Sequence, residues 1–261
     1  TGLAIGCVEP WMSGIGGGKP AEAAAAPMAT RPIPSSGEPL PVVGVGTWRT
    51  FMVGSGAEER APLREVLRQL FLAGGRLIDS SPMYGEAEGV VGDLLTDLGA
   101  HDKAFYATKV WTSGQQSGVR QMEQSFARYR HSPIDLMQIH NIVDWRTHIK
   151  TLRAWKDQGR FRYIGITHYT ASALDDLEAV IRKEPVDFVQ LAYSVGETAA
   201  ARRMLPFAAE RGVAVIVNRP YEGGSLFRAV RGRELPAAAR ELGAESWGQV
   251  FLRWILANPA V

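Results

Sequence analysis

The sequence predicts an α/β protein, a (β/α)8 TIM barrel truncated before its eighth strand. Three observations predict it. Seven short apolar runs alternate with segments whose apolar residues recur at helical spacing. The runs are apolar on both faces, as parallel strands covered by helices must be. Their ends, near residues 79, 109, 140, 167, 191 and 218, recur every 24 to 31 residues. A doubly wound open sheet is the alternative. Against it, no run is followed by G-x-G-x-x-G, and the glycine-rich Gly14–Lys19 has no strand before it and no helix after it.

The elements follow in order. Val42–Trp48 is the first strand candidate, and residues 58–73 form a helix with Leu63, Val66, Leu67 and Leu70 on one face. Gly74 and Gly75 end it. Arg76–Ser80 is the second strand, residues 86–98 a helix stopped at Gly99, and Lys103–Trp111 the third strand. A helix over 117–130 precedes the fourth strand, Ile134–His140. A helix over 145–158 precedes the fifth, Phe161–Thr167. Thr170 or Ser172 is placed to cap the next helix, which carries Leu174, Leu177 and Ile181. Val186–Tyr193 is the sixth strand, residues 201–211 a helix, and Val213–Arg219 the seventh strand. Trp247, Val250, Phe251, Trp254 and Ile255 mark a last helix, closed by Asn258-Pro259, after which Ala260-Val261 reads as the start of a strand. On this reading the barrel is incomplete at its C-terminus, and its first and seventh strands keep unpaired edges.

Residues 1–38 read as an export-signal-like and linker segment without fixed structure, and 39–261 as the barrel. Seven of the fifteen prolines lie in residues 1–41. The apolar start followed by Ala21–Ala26 has the look of a signal h-region and small-residue cleavage zone. The run ending at Cys7 has a loose likeness to a lipoprotein box, and Met28 is a possible start of a cytoplasmic form. Both exported and cytoplasmic readings therefore stand. Elsewhere composition is restrictive. The 261 residues are 46% apolar, with a net charge of +2 that gives nucleic acid or an anionic membrane surface little to bind. No apolar run reaches the roughly 18 residues of a spanning helix. The lone cysteine rules out an internal disulfide, and the five histidines lack zinc-ligand spacing.

Three strand ends carry polar groups that break an apolar run: Asp79, Lys109 and His140. In a barrel the C-terminal strand ends form the face that carries chemistry. Asp79 and Lys109 fall on neighbouring strands, where a pair offsets the cost of burying either charge. Tyr84, five residues past Asp79, can lean over the same mouth. Taken singly, each residue also fits a structural ion pair, a hydrogen-bonded histidine or a packed ring. Their convergence on one face favours a site.

From Val42 to Val261 the sequence resembles the aldo-keto reductases. The resemblance rests on Gly44-Val45-Gly46-Thr47-Trp48, Asp79 with Tyr84-Gly85 and Glu88, Thr108-Lys109-Val110-Trp111, Gln138-Ile139-His140-Asn141 and Tyr163-Ile164-Gly165-Ile166-Thr167. It implies a (β/α)8 barrel, a small-molecule carbonyl substrate, and a nicotinamide cofactor. By family habit that cofactor is NADPH, with NADH the alternative. It also implies a tetrad of Asp79, Tyr84, Lys109 and His140, with no metal. Carbonyl reduction places a hydride on carbon and a proton on the developing alkoxide, so a proton donor must reach that oxygen. A free tyrosine, with pKa about 10, is a sluggish donor. The Lys109 cation is expected to make Tyr84 a stronger acid, Asp79 to orient Lys109, and His140 to donate a second hydrogen bond to the carbonyl oxygen.

The same resemblance puts Thr167 and Gln190 at the nicotinamide carboxamide. His168 stands where the family usually has asparagine, and Asn218 where it often has an aromatic ring on the nicotinamide. Arg219 is a candidate for the pyrophosphate or for a rim salt bridge. Tyr221 is a substitute ring, and Gly223-Gly224 a backbone approach to phosphate. Two functions fit these residues: an NAD(P)H-dependent carbonyl reductase, and a non-catalytic or slow nicotinamide-binding sensor on the same barrel.

Overall fold

A computed structural model describes residues 28–261. The signal-like stretch, Cys7 and Gly14–Lys19 lie outside the described residues. The described chain opens with an antiparallel hairpin, β1 (Thr30–Pro32) and β2 (Pro39–Pro41), in which Arg31 faces Leu40. This differs from the linker expected up to residue 38, a boundary that cuts the hairpin in two. The prolines that suggested a linker are tolerated here because a two-stranded ribbon has free edges.

The rest alternates strand and helix. The strands are β3 (Val45–Gly46), β4 (Leu77–Asp79), β5 (Phe105–Val110), β6 (Ile134–His140), β7 (Phe161–Thr167), β8 (Phe188–Ala192) and β9 (Ala214–Asn218). They pair in chain order, every pair parallel, in one seven-stranded sheet. It curls into a nearly closed barrel with β3 and β9 at the gap. β6 and β7 have the bounds the sequence predicts. The first predicted strand shrinks to two paired residues, so Val42–Gly44 and Thr47–Trp48 lie outside the ladder.

Helices α1 (Ala57–Leu72), α2 (Ala87–Leu98), α3 (Gln115–Tyr129), α4 (Trp145–Asp157) and α5 (Leu174–Lys183) cover the sheet. Next come α6 (Ala199–Arg202), α7 (Met204–Glu210), α8 (Ser225–Ala229), α9 (Ala237–Glu241) and α10 (Trp247–Leu256). The helix predicted over 201–211 is two pieces, broken at Arg203. Neither Thr170 nor Ser172 caps α5; a 3-10 turn over Ala171–Ala173 leads into it, and the two hydroxyls bond each other at 3.1 Å. Ala260 and Val261 form no strand. Their N–H groups turn back onto Asn258, Ala260 to the side-chain oxygen at 3.0 Å and Val261 to the backbone at 3.2 Å.

Two apolar layers result. The larger lies between sheet and helices and includes Leu67, Val91, Leu95, Met122, Leu152, Ile166, Leu177 and Leu205. The smaller fills the barrel: Leu77, Phe105, Ala107, Leu136, Tyr163 and Phe188, closed from below by Ile33 of the hairpin. Side chains alternate between these layers with period two. Hence Phe105, Ala107 and Lys109 share the interior face, as do Leu136, Gln138 and His140. The interior is apolar at the bottom and polar at the C-terminal ends of the strands. The Arg31 guanidinium donates to the carbonyls of Leu256 (2.5 Å), Asn258 (2.8 Å) and Val261, fastening the hairpin to the end of α10.

Candidate active site

The polar top layer is assembled by register. Lys109 lies opposite Gln138 across β5–β6, His140 opposite Thr167 across β6–β7, and Thr167 opposite Gln190 across β7–β8. Asp79 ends β4 beside β5. Because every strand is parallel and inward parity is kept, these side chains meet at one mouth.

Lys109 is fully buried and donates to Asp79 Oδ2 at 2.7 Å and to the Ser80 carbonyl at 2.6 Å. Asp79 Oδ1 accepts from Gln138 Nε2 at 3.1 Å. The Lys109 ammonium also lies 5.3 Å from the centre of the Tyr84 ring. Tyr84 is carried by the turn between β4 and α2, where its N–H bonds the Ser81 carbonyl at 2.9 Å and Gly85 takes φ +56. Its ring meets His140 edge-on, with centroids 5.8 Å apart. His140 Nδ1 pairs with Ser81 Oγ at 3.0 Å. Asp79, Tyr84, Lys109 and His140 are therefore one cluster.

Electrostatics refine the chemistry. Burial, and after it the Asp79 carboxylate, raise the Tyr84 pKa well above that of an ordinary phenol. Together they outweigh the acidifying effect expected of Lys109, whose ammonium is hydrogen-bonded to Asp79 and Ser80. Tyr84 therefore keeps its proton at neutral pH. Burial first, then the positive charge of Lys109 and the imidazole of His168, push His140 down to about 3, so its ring is neutral.

The mouth opens into a cavity of about 1370 Å³ that continues down the gap between β3 and β9. Asp79, Tyr84, His140, Thr167, Gln190, Asn218 and Arg219 all line it, with Trp48, Met83 and Trp111 as an apolar rim. Thr167 Oγ1 donates to Gln190 Oε1 at 3.3 Å, while Gln190 Nε2 and Asn218 Oδ1 are buried without a partner among the described residues. Arg219 adopts φ +53 and makes no ion pair among the described residues; its guanidinium lies 5.8 Å from the centre of the Tyr169 ring. His168 is not on the cavity wall. It stacks on Tyr169, and its Nδ1 accepts from Thr170 N at 3.2 Å and pairs with Thr170 Oγ1 at 3.1 Å. Tyr221 lines the cavity but packs on Phe227 at 4.8 Å and donates to the Gly248 carbonyl at 3.5 Å. Gly223 and Gly224 occupy left-handed turn positions.

Sequence reasoning passed over Ser81 and Gln138 as site residues. Their signals were present: Ser81 follows the strand-ending acid by two, and Gln138 shares the inward parity of His140. Among the described residues there is no cluster of three metal-ligating side chains, and no helix is long and apolar enough to cross a membrane.

Comparison with known proteins bears on the family and the fold. The sequence profile of the Aldo/keto reductase family matches residues 42–261. Aldo-keto reductase YhdN of Bacillus subtilis is 26% identical over 203 residues, covering 72% of this chain and 59% of YhdN. Methylglyoxal reductase YeaE of Escherichia coli is 27% identical over 231 residues, covering 85% of this chain and 79% of YeaE. The chain thus spans somewhat less than two thirds of YhdN. A crystal structure of an aldo/keto reductase from Klebsiella pneumoniae, in complex with NADP and acetate, superposes with a TM-score of 0.70 at 20% identity, over 84% of this chain and 78% of the other. With a family profile spanning most of its length and the barrel to match, the chain belongs to the aldo/keto reductase family.

Proposed function

We propose that this chain reduces an aldehyde or ketone to the alcohol with NAD(P)H, Tyr84 supplying the proton. The carrying observation is the cluster itself. A protonated phenol and a neutral imidazole stand together at the cavity wall, backed by a buried Lys109–Asp79 pair. When bound, the dihydronicotinamide supplies the hydride. Tyr84 then donates its proton to the oxygen as negative charge develops there, and Lys109, 5.3 Å from the ring, stabilises the phenolate left behind. Ser81 Oγ accepts from Met83 N at 3.3 Å and has its own proton to give to His140 Nδ1. That tautomer leaves His140 Nε2–H to donate to the same carbonyl oxygen.

Orphaned amides support cofactor binding. Gln190 Nε2 and Asn218 Oδ1 offer a donor and an acceptor without partners among the described residues, a cost that a carboxamide would offset. Thr167 and Gln190 are assigned to that carboxamide, with Asn218 beside them and Arg219 toward the phosphates. His168 is assigned a supporting place behind Thr167. NADPH is preferred, and the NADP-bound Klebsiella relative agrees with that preference. Methylglyoxal, named for YeaE, is the first substrate to try.

The test follows NADPH absorbance with methylglyoxal and a panel of small aldehydes, alongside cofactor binding by fluorescence. Turnover supports the reductase. Tight cofactor binding without turnover across the panel would replace it with the sensor reading.

A further inference from the structure

We propose that Gln138 is a positioning residue for the reaction, holding Asp79 so that its other oxygen stays on Lys109. The inference rests on the assignment of Asp79, Lys109 and Tyr84 as the proton-transfer group. Gln138 is fully buried and sits directly above an interior layer that is otherwise apolar. A leucine there would continue that layer. Among the described residues the amide instead makes one side-chain hydrogen bond, to Asp79 Oδ1, and leaves its own Oε1 buried without a partner. An unpaired buried oxygen is unfavourable, so fold stability alone does not account for the residue. Its orientation is fixed, because a carboxylate only accepts and the amide nitrogen must face it.

The second observation lies on the next strand. Gly165 is the register partner of Gln138 on β7. A Cβ at Gly165 would come within 3.2 Å of Gln138 Cγ and 2.9 Å of the Phe188 carbonyl. The glycine gives the long amide its room. Asp79 is thus pinned through both oxygens, Oδ2 by Lys109 and Oδ1 by Gln138. Without Gln138 the carboxylate is free to rotate about χ2, and the Lys109 ammonium loses its fixed place near the Tyr84 ring.

Gln138→Leu and Gln138→Glu test this in the full chain. Gln138→Leu should still fold with a cooperative melt and bind NADPH within about twofold. Its kcat should fall about 10–100-fold, the scale of one hydrogen bond to a charged group. Gln138→Glu can serve Asp79 Oδ1 only when protonated. Its kcat should approach wild type at acid pH and decline as pH rises and the carboxylate pair loses its shared proton. A purely structural role would not add that descending limb. Wild-type kcat in Gln138→Leu, or a wild-type pH profile in Gln138→Glu, overturns the proposal. If wild type itself shows no turnover while binding NADPH, the reductase reading fails, and the crystal structure of Gln138→Leu decides this inference alone. An Asp79 rotamer and Lys109 contact unchanged from wild type then refute it, and a rotated carboxylate upholds it.

Discussion

Tyr84→Phe separates chemistry from packing unusually well in this site. The Tyr84 hydroxyl makes no hydrogen bond to protein among the described residues, so its removal strands no partner. The ring contacts, edge-on to His140 at 5.8 Å and beneath the Lys109 ammonium at 5.3 Å, are kept by phenylalanine. Stability should therefore change by no more than about 0.5 kcal/mol in either direction. The chemical step loses its general acid, worth roughly 10²–10⁴-fold, or about 2.7–5.5 kcal/mol of barrier. The contrast between the two quantities is what the experiment reads. NADPH oxidation under saturating carbonyl gives kcat, a urea melt gives stability, and fluorescence titration gives cofactor affinity, which should stay within about twofold. Turnover within tenfold of wild type, with the melt unchanged, would refute Tyr84 as donor and leave the neutral His140 as the remaining candidate.

Lys109→Met should slow turnover and also cost about 3–5 kcal/mol of stability, because Asp79 loses the cation of a buried pair; kcat of the double variant with Tyr84→Phe should fall little below that of the worse single one. Gln190→Ala should weaken NADPH binding by roughly 1–3 kcal/mol in a fluorescence titration, and an unchanged affinity would make Gln190 merely a core residue of β8. Acid should destabilise the fold through His140. Its folded pKa of about 3 lies below the unfolded 6.5, so between those values the unfolded chain binds more protons and stability falls as pH drops. The loss is at most about 5 kcal/mol, and urea melts of His140→Gln should be flatter across that window.

The legible parts of this fold are those decided by long apolar runs. β6 and β7, buried throughout except for Arg162, stood out with their exact bounds, and the strand-ending Asp79, Lys109 and His140 were visible because each interrupts such a run. The hairpin was hidden because its signal is contact with the barrel floor through Ile33, not local pattern. Proline content pointed the other way. The Tyr84 acidity was misread for a related reason: sequence puts a lysine near the phenol but says nothing of how deeply the phenol is buried or where the ammonium spends its bonds. His168 likewise looked like a stand-in at the cavity, whereas Thr170, two residues on, draws its ring into the loop.

Arg31 joins residues separated by 225 to 230 positions in the chain. Closing a loop of that length is entropically costly and is repaid only once both partners are in place. Such a link is expected to form late on the folding path, after the local βα units, and to be absent from the rate-limiting ensemble. Its strength then governs how fast the native state opens rather than how fast it forms. Arg31→Ala is expected to leave the refolding limb of a chevron plot unmoved and to raise the unfolding limb, making this one guanidinium a brake on the lifetime of the folded protein.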